Sequence, residues 1–202
     1  MKRKLIGLTG FMNSGKGTVG DYLVSKHGFK TASFANSLKD ATAAIFAWPR
    51  HLLEGNTKES RIWRETKDEY WSKKLEKDVT PRWVLQHLGT DVLRNHFIDS
   101  IWIWSLEKYL GDSTDDIVIT DVRFTNEIKL INSLGGKIWW IKRGEMPIWY
   151  DEFVVDKSIM LSKYTNVHSS EYDWLGQNEN IILDNNKDLE HLYLQIDSWL
   201  KI

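Results

Sequence analysis

GFMNSGKGT, residues 10–18, sets two glycines, a lysine and a hydroxyl at the spacing GxxxxGKGT. Glycines let a backbone curl until several N–H groups converge on one anion, and a helix opening directly afterwards adds the positive end of its dipole. At this spacing the Lys16 ammonium reaches the β- and γ-phosphates of a nucleotide, cradled by the amides of Asn13, Ser14, Gly15, Lys16, Gly17 and Thr18. Gly17 stands where a hydroxyl often follows the lysine, so the metal-facing hydroxyl falls to Thr18. Mg²⁺ is then expected to be held largely by water and by the phosphates themselves. The bland alternative is a strand-to-helix turn that binds nothing.

Phosphoryl transfer asks the protein for positioning and for positive charge around a loosely bonded group, more than for covalent chemistry. Lys16 serves the donor end, and an acceptor phosphate needs a cation from another direction. Guanidinium forks match phosphate oxygens two at a time, and the best candidates are Arg82, on the face of the helix from Pro81, and Arg123, just beyond the strand that ends at Asp121. Arg82 is otherwise a solvated first-turn charge, and Arg123 otherwise an ion pair with Glu127, four residues on. Asp121 closes a β-branched run, IVIT, and either orients Mg²⁺, accepts a hydrogen bond from the acceptor, or caps the following helix.

Residues 4–9 form a short apolar run ending toward the glycines, the pattern of a buried parallel strand, and residues 16–26 read as the helix after it, stopped by Gly28. Residues 29–34 predict a second strand and 37–46 a second helix. From 51 to 110 the text is helical and polar, with a charged stretch over 58–77 and a firmer helix from Pro81, a residue suited to a first turn. Residues 117–120 and 137–141 predict strands on either side of a helix over 124–134. Residues 144–170 show no sustained period and read as a long loop or lid. A last strand at 181–183 and an amphipathic helix over 189–200 complete the chain. Strands alternating with helices imply an α/β fold with a mostly parallel, five-stranded sheet flanked by helices.

Three further segments are informative together with the cradle: PRWVLQHLGTDVLRN (81–95), DVRFTNE (121–127) and HSSE (168–171). In this order the chain resembles the bacteriophage deoxynucleoside monophosphate kinases, from residue 4 to the last helix. The pairing of R-x-x-x-Q-x-L-G-T-D with D-x-R-x-x-N-E carries most of that resemblance. It implies a single P-loop kinase domain, with a helical acceptor-binding insert over about 35–110 and a lid over about 143–172. It also implies transfer from ATP, with Mg²⁺, to a deoxynucleoside monophosphate in a host cytoplasm.

Further residues are candidates for the site. Gln86 reads a base edge or is an ordinary polar helix position. Thr90 and Asp91, after Gly89, touch sugar or base, or they break one helix and cap the next. Lys39 lies near the acceptor pocket or on an exposed helix face. Arg143, where the fourth strand ends, stacks on adenine or touches the transferring phosphate. Asn185 follows the last strand and lies along adenine or makes a turn. Glu127, His168 and Glu171 count as substrate-binding because they fall inside the matching motifs.

Other classes fit less well. Asn186-Lys187-Asp188 carries the letters of a guanine-reading motif with the aspartate one residue early, at the start of the last helix, which suggests a cap. Six scattered histidines without ligand spacing suggest no zinc site, and the absence of cysteine excludes disulfides and thiolate chemistry. A net charge of −1 gives no pull toward nucleic acid, and no apolar run of about 20 residues predicts a membrane span. Trp102 and Trp104 raise the possibility of a homodimer. The alternatives are a kinase of another small acceptor, such as a coenzyme precursor, and a non-catalytic nucleotide-binding module.

Overall fold

The computed structural model of the protein describes residues 3–111, 113–177 and 181–201. The chain divides into two compact units, one of Met1–Ala32 with Asp112–Ile202 and one of Ser33–Gly111.

The first unit holds the sheet. Among the described residues it has five strands, β1 (Leu5–Thr9), β2 (Lys30–Ala32), β3 (Ile117–Ile119), β4 (Lys137–Lys142) and β5 (Ile181–Asp184), ordered β2-β3-β1-β4-β5. All pairings are parallel, with Gly7 beside Ile119 on one flank and Ile138 on the other. β1 is central and every residue in it is buried, which explains its unbroken apolar text. Helices α1 (Lys16–His27), α7 (Thr125–Ser133) and α10 (Leu189–Leu200) belong to this unit. Val19 and Leu23 of α1 and Leu192 and Ile196 of α10 pack with Leu8, Trp139 and Leu183 into one core. Alternation along β4 sends Trp140 to the opposite face from Trp139, where it meets Trp174 at 5.4 Å. Asp188 caps α10 by accepting from the His191 amide at 2.8 Å, the cap its position suggested.

Residues 144–170 are not a plain loop. They fold into α8 (Tyr150–Val155), α9 (Lys157–Lys163) and a 3-10 turn, Ser169–Glu171. Each helix is under two turns long, too short to show a period, and Asp156 starts the second by accepting from the Ser158 amide at 2.7 Å. Trp149 and Met160 of this segment are buried, as are Tyr172, Trp174 and Leu175 just after it.

The second unit is helical: α2 (Asn36–Phe46), a 3-10 turn over Arg50–Glu54, α3 (Lys58–Glu65), α4 (Glu69–Leu75), α5 (Pro81–Gln86), a π-helix over His87–Phe97, and α6 (Ile101–Leu110). The caps are local. Thr57 and Ser60 form a reciprocal box, Asp68 accepts from the Trp71 amide, and Thr80 accepts from the Trp83 amide with Pro81 in the first turn. Trp102 is buried and its Nε1 donates to the Gly89 carbonyl at 2.9 Å, whereas Trp104 is exposed. No helix among the described residues is long and apolar enough to cross a membrane.

Candidate active site

The carboxyl edge of the sheet collects the ends of four strands: Gly10 after β1, Asp121 and Arg123 after β3, Arg143 after β4 and Asn185 after β5. Ligands gather at this edge in open α/β sheets. The 10–18 loop curls there. Gly10 has φ +142°, Asn13 +61° and Gly15 +102°. A Cβ at Gly15 would sit 2.3 Å from Asn185 Nδ2, and one at Gly10 2.6 Å from the Ile141 carbonyl oxygen. The Ser14 amide donates to the Phe11 carbonyl at 3.2 Å. Lys16 then opens α1, whose first turn contains no acidic residue, so the positive end of the helix is left uncompensated. The loop and the free first-turn amides fit a polyphosphate.

Asn185 has a role other than the expected one. It is buried, its Nδ2 donates to the Ser14 carbonyl at 2.8 Å, and its own amide donates to the Lys142 carbonyl. It fastens the loop to the edge of the sheet instead of presenting its amide to an adenine.

The Lys16 ammonium turns back on the loop, donating to the Gly10 carbonyl at 2.6 Å and the Phe11 carbonyl at 2.9 Å. Burial pushes its pKa down from 10.5 to about 8, the charge of Arg123 pushes the same way, and that of Glu171 pushes it up. Arg123 Nη1 lies 3.8 Å from Glu171 Oε1. Lys16, Arg123 and Glu171 therefore form one charge cluster at the cradle. Polyphosphate binding favours the ammonium, so it should raise this pKa and draw a proton from solution. Calorimetry of ADP binding at pH 8, where the nucleotide's phosphates are fully ionised, in buffers of different ionisation heat, is expected to show uptake of about half a proton. Affinity should fall as pH rises through 8, because the free protein then binds with a neutral Lys16. Proton release instead of uptake would contradict this.

Glu127 does not face a substrate. It is 2% exposed, and its carboxylate accepts from the backbone amides of Arg123 at 2.7 Å and Phe124 at 3.1 Å. It holds the turn that carries Arg123 by a bond to that residue's backbone. His168 is also engaged locally: its Nδ1 accepts from the Ser170 amide at 3.2 Å and so starts the turn ending in Glu171. Arg143 is exposed, and Asp121 is half-buried. Gly17 and Thr18 lie in the first turn of α1, with open space around Gly17. No cluster of three or more His, Cys, Asp or Glu suited to a metal occurs among the described residues.

In the helical unit, Lys39 is neither free for a substrate nor on an exposed face. Its Nζ is 2.6 Å from Glu54 Oε2, and its side chain is 13% exposed. Burial alone would raise the Glu54 pKa, but hydrogen bonds from Lys39 and Arg50 hold that carboxyl below its usual range. Arg82 is exposed and pairs with the exposed Glu65 at 2.7 Å, a contact weak enough to exchange for a better anion. Gln86 ends α5 and is exposed. Thr90 and Asp91 lie within the π-helix, a form frequent at functional sites. Asp91 Oδ2 is 3.0 Å from His87 Nδ1.

Two residues escaped sequence reasoning. Asp173 accepts from the Thr125 amide at 2.9 Å while its carbonyl accepts from the Thr125 hydroxyl at 2.8 Å, tying residues 169–175 to the start of α7. No local signal links positions so far apart. Phe11 packs its ring among Trp149, Tyr150 and Trp174; an aromatic in the variable part of the loop was the available hint.

The pattern of a family described as deoxynucleotide monophosphate kinase matches residues 52–196. A protein of Acanthamoeba polyphaga mimivirus, named as a deoxynucleotide monophosphate kinase, is 33% identical over 208 residues, covering 96% of this chain and 94% of its own. Among solved structures, TT1252 from Thermus thermophilus aligns with a TM-score of 0.48 and 15% identity, over 100% of this chain and 98% of that one. Shikimate kinase from Aquifex aeolicus aligns with a TM-score of 0.44 and 15% identity, over 98% of this chain and 96% of that one. These two likenesses are too distant to carry an inference about chemistry.

Proposed function

Because the chain belongs to the deoxynucleotide monophosphate kinase family, we propose that its carboxyl-edge loop and Lys16 hold the ATP that donates a phosphoryl group to a deoxynucleoside monophosphate. The family makes it a phosphotransferase that uses ATP; the residue roles are our own reading. The amides of residues 13–18 take the donor phosphates, and Lys16 swings from the Gly10 and Phe11 carbonyls to the β- and γ-oxygens. Arg123 steadies the phosphoryl group in transfer, where charge spreads over its oxygens. Arg82, Gln86, Thr90 and Asp91 belong to the helical unit that we assign to the acceptor. Residues 143–172 are assigned as a lid, with Arg143 at its base and Glu171 against Arg123.

Mg²⁺, when bound, neutralises charge between the donor's phosphates. We assign Thr18 and Asp121 as the side chains that would hold it, in a shell otherwise supplied by phosphates and water. The observation that carries the reading is a desolvated Lys16 beside Arg123 at a loop with three left-handed backbone positions. ADP release should be followed in a coupled assay with dGMP, dTMP, dCMP and dAMP as acceptors. Acceptor-dependent turnover is expected with at least one of them. A folded protein that turns over none of the four, but does turn over a coenzyme precursor or only binds ATP, would overturn the assignment.

A further inference from the structure

Phe11 belongs to the cradle through its backbone and to the 149–174 segment through its ring. Its carbonyl accepts from Lys16 Nζ at 2.9 Å and from the Ser14 amide at 3.2 Å. Its ring stands edge-on to Trp174 at 5.2 Å, Trp149 at 5.7 Å and Tyr150 at 6.2 Å. Trp149 and Trp174 are buried, and Trp174 also packs on Trp140 of β4. The same segment carries Glu171, paired with Arg123, and Asp173, bonded to the start of α7.

For Lys16 to reach a phosphate it must release the Phe11 carbonyl. The peptide that loses this partner is the one whose side chain is gripped by three rings. Close-packed rings do not absorb a displacement softly, so movement of the Phe11 backbone is passed to them. We infer that Phe11 is a positioning residue that reports occupancy of the cradle to residues 149–174 and so sets Glu171 against Arg123 for transfer. This rests on the reading of residues 10–18 as the donor site.

Fluorine NMR of protein carrying fluorotryptophan tests it, with the Trp149 and Trp174 resonances, out of 11, identified by Trp149→Phe and Trp174→Phe. ADP is the probe. In the unsubstituted protein both resonances are expected to shift as ADP binds. Phe11→Leu should bind ADP within about threefold of the parent, show less than about half the shift, and lose about tenfold in kcat with donor KM little changed. A merely structural role would lower stability without this split between kcat and KM. ADP binding with both resonances silent in the unsubstituted protein would sink the coupling and leave the donor site standing. No ADP binding at all would sink both. Phe11→Leu with parental kcat and shifts would also overturn the inference. If Phe11→Leu does not fold, Tyr150→Leu, which keeps Phe11 and removes one of its ring contacts, carries the same comparison.

Discussion

Replacing Lys16 with alanine is expected to lower kcat/KM by at least about a thousandfold, and to leave the melting temperature unchanged or raised. The two expectations have one cause. The ammonium is held where burial depresses its pKa to about 8, so the folded state bears a desolvation cost at neutral pH that alanine does not. A shift from 10.5 to about 8 corresponds to about 3 kcal/mol against the charged form. Part of that is returned by the bonds to the Gly10 and Phe11 carbonyls, which the substitution also removes. A cation whose folded pKa is depressed destabilises the fold below pH 8, and this cost is relieved between about 8 and 10.5. A coupled assay and a thermal melt on the same preparation decide the matter. Residual activity within tenfold of the parent would remove Lys16 from the transfer step. A large loss of stability would mean that the lysine serves the fold.

Glu127→Ala is expected to cost about 3 kcal/mol and to lower the melting temperature by about 10 °C. One buried carboxylate oxygen, Oε2, accepts from both the Arg123 and the Phe124 amides. Alanine strands both donors and removes a negative charge from the positive end of α7. Glu127→Gln keeps an acceptor oxygen and should recover more than half of the loss. Because the Arg123 backbone hangs from this carboxylate, Glu127→Ala should also reduce kcat at temperatures where the variant is fully folded. Thermal melts of the two variants, with turnover measured well below either midpoint, provide the check. Equal destabilisation by alanine and glutamine would show that the charge matters and the two hydrogen bonds do not.

The legible parts of the fold were those set by local physics. β1 could be read because a central parallel strand has no exposed face to interrupt its apolar run, and α10 because twelve residues hold three turns of periodicity. The cradle was legible because its glycines answer backbone requirements visible at fixed spacing. α8 and α9 were not, since six or seven residues cannot establish a period and their order comes from burying Trp149, Met160 and Trp174. Within the site, residue type alone misled where a polar group serves the protein instead of a ligand. Glu127, Asn185 and Lys39 all have chemistry suited to a nucleotide, yet each is occupied by a backbone or side-chain partner. Glu127 could have been suspected, because a glutamate three residues into a helix commonly reaches back to the first amides. Asn185 could not, because its partner Ser14 is distant in the chain and is met only once β4 and β5 have paired.

The order of synthesis meets an obstacle in this topology. Among the described residues, β1 has ladders only with β3 and β4, and β2 only with β3. A nascent chain emerging from the ribosome therefore displays its fully buried central strand while every neighbour of that strand is still unmade, and it must translate all of Ser33–Gly111 first. The phosphate loop hangs from β1, so it too lacks its support until β4 and β5 have been extruded. Long-range parallel pairing of this kind is slow and leaves apolar edges open to aggregation. Nucleotide-binding competence thus waits for β5, after the helical middle has had time to collect its local contacts.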